Sequence, residues 1–190
     1  MTRCCVIVTT HERPDALGRV LDAVAMQSRP PDELIVADDG SGPATAGVVA
    51  QHASRAAYPV RHEWQAHAGF RAGRIRNAAI ARSRCEYVVL LDGDMVVHPE
   101  FLADHLALAR PGHFSQGVRI LLDVHATERM LDGTAGLRRI GFQVIERPAR
   151  RRIQFAFGGQ RATVLAHARA LRWCSAAIKA TPNHSTVELK

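Results

Sequence analysis

The four cysteines of this chain form no Cys-x-x-Cys pair, and its ten histidines form no His-x-x-x-His or His-Glu-x-x-His pattern. A zinc centre is therefore left without its usual ligand spacing. No run of about eighteen apolar residues occurs, so no membrane-spanning helix is expected. The amino terminus lacks the basic and apolar regions of a secretory signal. The resulting expectation is a cytoplasmic protein whose Cys4, Cys5, Cys85 and Cys174 are free thiols. Acid is missing as well: after Glu146 none occurs until Glu188.

What is present suits one globular domain with a sizeable core, at 190 residues, 47% apolar and 23% charged. The net charge of +7 is unevenly spread. Residues 1–146 carry 16 arginines against 17 acids, whereas residues 147–190 carry nine Arg or Lys against Glu188 alone. The basicity thus belongs to the tail. Only Phe155, Phe157 and Trp173 interleave aromatic rings with that charge, which argues against a nucleic-acid face.

The chain is organised around residues 86–99, Glu-Tyr-Val-Val-Leu-Leu-Asp-Gly-Asp-Met-Val-Val-His-Pro. Five apolar residues bounded by charge predict a strand buried on both faces that stops at two carboxylates one glycine apart. In extended chain Asp92 and Asp94 project to the same side, and Gly93 admits close approach of a ligand to the backbone. Paired carboxylates repel unless a positive group lies between them. A hard cation, Mg2+ or Mn2+, carrying phosphates and held by one or two carboxylates meets that need. The competing reading is an Asp-Gly turn joining two strands.

Upstream, Cys4-Cys5-Val-Ile-Val predicts a buried strand ending at Thr9-Thr10-His11-Glu12-Arg13-Pro14. Pro14 opens a helix bearing Leu17, Val20, Leu21 and Val24 on one side. Leu34-Ile35-Val36-Ala37 predicts a second strand, ending in Asp38-Asp39-Gly40-Ser41-Gly42, with Ser41 as cap of a helix over 44–55. A short strand follows over 58–63. Gly69-Phe70-Arg71-Ala72-Gly73-Arg74 enters an alanine-rich helix whose amino end and arginines form a candidate anion site. Further elements are a helix after Pro99, strands over 114–122 and 140–145, and helices over 125–131 and 163–178. Strands alternating with helices predict an α/β three-layer sandwich around a mostly parallel sheet, with ligands at the carboxyl ends of its strands.

Four segments in order resemble the nucleotide-binding half of family 2 glycosyltransferases. They are Val-Ile-Val-Thr-Thr-His-Glu-Arg-Pro at 6–14, Ile-Val-Ala-Asp-Asp-Gly-Ser at 35–41, Gly-Phe-Arg with Arg-Asn at 69–77, and Leu-Leu-Asp-Gly-Asp at 90–94. Gly-Phe-Arg and His-Pro-Glu-Phe also resemble the bacterial members that build surface polysaccharide, including the chondroitin-polymerase-like group. The resemblance implies the GT-A fold, a UDP-sugar donor, Mn2+ or Mg2+, a glycan or lipid-linked acceptor, and inversion at the transferred sugar. It implies that Thr10, His11 and Glu12 form the nucleobase pocket and that Asp39, with Asp38 beside it, accepts the uracil ring N–H. It further places Arg71 near the base or diphosphate, counts Asn77 among the nucleotide-sugar-binding residues, and puts Asp92 at the ribose or donor sugar and Asp94 on the metal. Residues 1–122 would be the nucleotide-sugar core and 123–190 an atypical basic segment.

His11-Glu12 departs from the Tyr-Asn common in the family, although imidazole also stacks on a base. The larger departure is the general base that inversion requires. Asp123, Glu128, Asp132 and Glu146 are the acids available, and none sits in the family's acidic motif. The tail is then either a truncated or frame-shifted acceptor half, or a basic attachment to the anionic cytoplasmic face of the inner membrane. A non-catalytic nucleotide-binding module completed by a partner is the second functional reading. The loop after strand one has neither the glycine nor the lysine that a nucleotidyltransferase phosphate loop needs, and no Gly-x-Gly-x-x-Gly for a dinucleotide.

Overall fold

A computed structural model describes residues 1–115 and 117–134, together with three short strands at 154–157, 160–163 and 174–177. Four parallel strands, β1 (Cys4–Thr10), β2 (Glu33–Asp38), β3 (Val60–Trp64) and β4 (Tyr87–Asp92), lie in the order β3-β2-β1-β4. The helices between them are α1 (Pro14–Ala25), α2 (Pro43–Ala53) and α3 (Ala72–Arg82).

Side chains alternate across the sheet, and the two sets of apolar residues find different partners. Cys4, Val6, Val8, Leu34 and Val36 pack with Leu17, Val20, Leu21 and Val24 of α1 and Val49 of α2. Cys5, Ile7, Ile35 and Ala37 pack with Ile75 and Ala79 of α3. This is the expected three-layer sandwich, and it explains why all of β1 is buried: a strand lies on each side of it and helices cover each face. Fully burying an aliphatic side chain contributes about 1.5–3 kcal/mol, so β1 with α1 carries much of the stability.

The chain runs outward from β1 to β3 and then crosses back, through α3, to place β4 on the other side of β1. The direction of winding therefore reverses between β1 and β4. Crevices open at the carboxyl ends of parallel strands at such a reversal, and here those ends are Thr9-Thr10 and Asp92.

Beyond β4 come β5 (Met95–Val97), α4 (Phe101–Leu108), β6 (Val118–Leu121) and α5 (Val124–Leu131), then β7 (Gln154–Phe157), β8 (Gln160–Thr163) and β9 (Cys174–Ala177). Strand β9 lies between β5, antiparallel, and β6, parallel. Buried Gln27 fastens α4 to α1: its amide N–H groups donate to Ala23 O and His98 O, and its oxygen accepts the Leu102 N–H at 2.9 Å. Leu122, Ala126 and Met130 join the α1 core, so both sides of the division expected at 122 pack on one nucleus.

Several expectations are corrected. Strand β4 is not buried on both faces: Leu90, on the α3 face, is 47% exposed, because among the described residues β4 pairs only with β1. Ser41 does not cap α2. Gly42 is the N-cap residue, while the Ser41 hydroxyl accepts the Glu12 backbone N–H at 2.9 Å. The expected helix over 163–178 contains a strand at Cys174–Ala177, where pairing on both edges overrides the weak β preference of Cys-Ser-Ala-Ala. The strand expected over 114–122 is confined to Val118–Leu121. The strand expected over 140–145, Glu146 and, within the basic tail, the run Arg150, Arg151 and Arg152 lie outside the described residues. No described helix is long and apolar enough to cross a membrane.

Candidate functional site

The loops after β1, β2 and β4 meet at the carboxyl edge of the sheet. The parallel register puts Thr10 beside Asp38 and Thr9 beside Asp92, and the Asp39 N–H donates to Thr10 O at 3.0 Å. Glu12 closes the first two loops together. Its N–H donates to Ser41 Oγ and its Oε1 accepts the Gly42 N–H at 2.7 Å, with its backbone held at a φ of 47°. A carboxylate at that point also faces the amino end of α2, where negative charge is favoured.

Asp38 is fully buried and holds its own turn. Oδ1 accepts the Ser41 N–H at 2.8 Å, and Oδ2 lies 2.9 Å from His62 Nε2. Burial alone would raise its pKa, but the hydrogen bonds from His62 and Ser41 outweigh it and hold the carboxyl below the usual carboxylate range. Asp39, 2% exposed, accepts the Gln65 side-chain amide on Oδ1 at 2.5 Å and the Arg71 N–H on Oδ2 at 2.7 Å. The Arg71 guanidinium turns back to Ala66 O, and its Nε is buried without a hydrogen-bond partner. His11 and His67 stack with ring centroids 4.5 Å apart and an interplanar angle of 17°. Both Nδ1 atoms lie near Asp39 O, at 3.0 and 3.2 Å.

The acidic turn approaches from the other side of β1. Asp92-Gly93-Asp94 does join two strands, but β4 and β5 belong to different sheets, so the Asp-Gly pair is not a hairpin turn. Gly93 packs closely against β1. Its N–H donates to Thr9 O at 2.7 Å, and a Cβ there would come within 2.9 Å of that oxygen and 3.0 Å of the Thr10 side chain. The missing side chain lets the turn press on β1. Asp92 is largely exposed and paired with Arg76; Asp94 is half-buried. The Thr10 hydroxyl is buried with no hydrogen-bond partner, an orphaned oxygen beside the turn.

Among the described residues no three His, Cys, Asp or Glu side chains group closely enough to hold a metal by themselves. Two carboxylates with open space around Asp92 nevertheless fit Mg2+ or Mn2+, which take few protein ligands and fill their shell with phosphate and water. Of the sequence candidates, Thr10, His11, Glu12, Asp38, Asp39 and Arg71 converge at the β1 and β2 loops, and Asp92 and Asp94 stand across β1 from them. Asn77 is exposed on α3. Its neighbour Arg76 reaches the strand ends instead: Nε donates to Thr9 Oγ1 and Nη2 to Asp92 Oδ1, each at 3.0 Å. Sequence reasoning had Arg76 only as one arginine of the candidate anion site, without its place at the strand ends, and missed Gln65 and His67. Setting Ile75 and Ala79 against the sheet would have placed Arg76 on the flank towards β1 and β4.

Three of the four acids considered as general base are engaged or exposed on their own element. Asp123 caps α5 through the Ala126 N–H, Asp132 bonds Thr134, and Glu128 lies exposed near His125.

The parallel sheet with an acidic turn at its winding reversal has the GT-A fold, and comparison with solved structures agrees. The mannosyltransferase PcManGT from Pyrobaculum calidifontis, solved with GDP-Man and Mn2+, superposes with a TM-score of 0.53 at 22% identity over 69% of this chain and 38% of its own. S. aureus TarS 1-349 with UDP-GlcNAc gives 0.54 at 22% identity over 62% and 35%. The glycosyl transferase family 2 model matches residues 5–172, and the chain belongs to that family. Curated relatives include a hyaluronan synthase from Pasteurella multocida, 31% identical over 103 residues, and a validoxylamine A glucosyltransferase from Streptomyces hygroscopicus subsp. limoneus, 28% identical over 104. Each alignment takes in 54% of this chain, which spans only 10% and 22% of those two proteins.

Proposed function

We infer that the chain is the donor-binding half of a sugar-transfer enzyme, taking a UDP-sugar with Mn2+ or Mg2+ and serving a glycan or lipid-linked acceptor with inversion. The observation that carries this reading is the Gly93 contact, which presses Asp92-Gly93-Asp94 onto the end of β1 opposite the buried Asp39. Asp39 offers a carboxylate to a ring N–H, and His11 offers a face for stacking. Asp92 and Asp94 would hold the metal, which when bound stabilises negative charge on the leaving diphosphate. Arg76 and Arg71 add positive charge at the same edge.

In the transfer, the acceptor hydroxyl oxygen forms a bond to the anomeric carbon as that carbon's bond to the diphosphate oxygen breaks. UDP leaves with the electron pair, and the hydroxyl proton passes to a general base. The chain's own part is to bind, orient and neutralise the donor.

Calorimetric titration of UDP into the chain, with and without Mn2+, tests the reading. Metal-dependent binding abolished by Asp94→Ala is expected; a folded wild-type chain that binds no UDP overturns it.

A second reading, a nucleotide-binding module completed by a partner, is favoured by the local engagement of Asp123 and Asp132. UDP binding with neither transfer nor donor hydrolysis would select it. The cellular place we infer is the cytoplasm, with the basic residues of 147–190 in peripheral contact with the inner membrane.

A further inference from the structure

A nucleobase entering this site needs a flat face to stack on and an acceptor for its ring N–H. Both are already in use. The Asp39 carboxylate, 2% exposed, has one oxygen on the Gln65 amide at 2.5 Å and the other on the Arg71 N–H at 2.7 Å. His11 is stacked against the His67 ring, and because a carbonyl only accepts, both histidines donate Nδ1–H to Asp39 O. The segment bearing Gln65 and His67 sits directly on the β2 turn. A Cβ on Gly40 would fall 2.5 Å from His67 N, so not even a methyl group fits between them.

We propose that residues 64–71 are a resident occupant of the base pocket: Gln65 and His67 fill its hydrogen-bonding and stacking positions, and a nucleotide binds by displacing them. This rests on the donor-site reading above and adds a competition to it. The segment is built to leave. His67 is exposed and Phe70 is 92% exposed. Gly69, at a φ of 78°, has open space around it. Besides the contacts just given, the Trp64 Nε1–H bond to Ser41 O at 3.0 Å and the Gln65 N–H bond to Asp38 O at 3.2 Å hold its first residues.

The carboxylate uncovered by the displacement then selects. Displacing the Gln65 amide leaves a buried carboxylate that must receive another donor. Uracil and guanine present a ring N–H and replace it. Cytosine and adenine present a ring-nitrogen lone pair at the equivalent position, which the carboxylate repels. The pocket is thereby closed to their nucleotides more firmly than its shape alone would require.

The test is titration of UDP, with CDP as the control, into the full chain and into Gln65→Ala and His67→Ala. Removing a competitor bonded this way should tighten UDP binding about two- to tenfold and leave the UDP over CDP preference unchanged, because both nucleotides must displace the same segment. Hydrogen exchange at the Arg71 amide, read without ligand, should be slow in the wild type and faster in both variants. UDP binding that is weaker or unchanged in the variants overturns the proposal, since it would make Gln65 and His67 ligands or bystanders. Fast Arg71 exchange in the wild type overturns it independently of any nucleotide. Slow exchange in a chain that binds no UDP in any form overturns the donor-site reading and the competition with it, an outcome distinct from the other two.

Discussion

Arg76 Nη2 lies 3.0 Å from Asp92 Oδ1, and the same guanidinium bonds Thr9 Oγ1, so one side chain of α3 ties together the ends of β1 and β4. It sets positive charge against the first of the two acids in the turn proposed above to hold a metal.

Arg76→Met should therefore weaken UDP binding about tenfold or more while lowering stability by no more than about 1 kcal/mol, the usual worth of a solvent-exposed ion pair. Arg76→Lys should recover part of the affinity, since charge is kept but the forked geometry is lost. Calorimetry beside thermal melts separates the two effects. Equal loss of both would make Arg76 a purely structural tie.

Gly93→Ala should cost about 1–3 kcal/mol, because the added methyl overlaps Thr9 O and the Thr10 side chain and must push the turn away from β1. Metal-dependent UDP binding should fall even where circular dichroism shows a folded chain. Unchanged metal dependence would mean that the position of the turn is immaterial.

His105, buried against Phe101 with Tyr87 Oη 3.1 Å from its Nδ1, has its pKa pushed down to about 4 by burial. Unfolded, it takes up a proton near the ordinary value of about 6.5. Between those two values the unfolded state binds more protons, so stability present above pH about 6.5 is lost as pH falls towards 4. The contribution is on the order of 3 kcal/mol. Urea melts across that range should show a shallower acid decline in His105→Gln than in the wild type; parallel slopes would remove His105 as the cause.

Leu17→Ala, at the centre of the α1 face, should cost about 2–5 kcal/mol. UDP affinity should be unchanged at temperatures where the variant stays folded, because Leu17 packs under the sheet and not at its carboxyl edge. A parallel fall in affinity would show that the α1 core sets the geometry of the loops.

Attachment of the basic tail to membrane is tested by co-sedimentation with vesicles. Phosphatidylserine vesicles should retain the chain at low salt, at about 1 kcal/mol per basic residue near the surface, and release it at high salt. Neutral vesicles should not bind it. Equal binding to both, or none to either, would refute the attachment.

The sheet and its first three helices were legible because their signals are local. The apolar run at Cys4–Val8, the stripe Leu17, Val20, Leu21 and Val24, and the acids ending strands two and four all stand in short windows of sequence. The carboxyl-edge position of Thr10, Asp38, Asp39 and Asp92 followed from that pattern. The partners did not, because they are set by contacts between distant residues. Arg76 finds Thr9 across 67 positions, Gln65 finds Asp39 across 26, and the use of Gly93 depends on a backbone oxygen of β1. The segment Cys174–Ala177 reads as helix in isolation and is strand only because β5 and β6 flank it.

The central position of β1 has a consequence for the order in which the molecule is made. Its first edge is paired as soon as β2 has emerged from the ribosome, but the other waits for β4, and the Arg3 N–H meets Glu86 across 83 residues of chain. Domains fold as units from the amino terminus during synthesis, and long-range parallel pairing is slow. Once α5 has been added, the sheet, its two helical layers and the carboxyl-edge loops are complete before any of residues 147–190 has been translated. The nascent chain can thus complete its four-stranded sheet first, and β9, from the basic stretch, joins β5 and β6 only later.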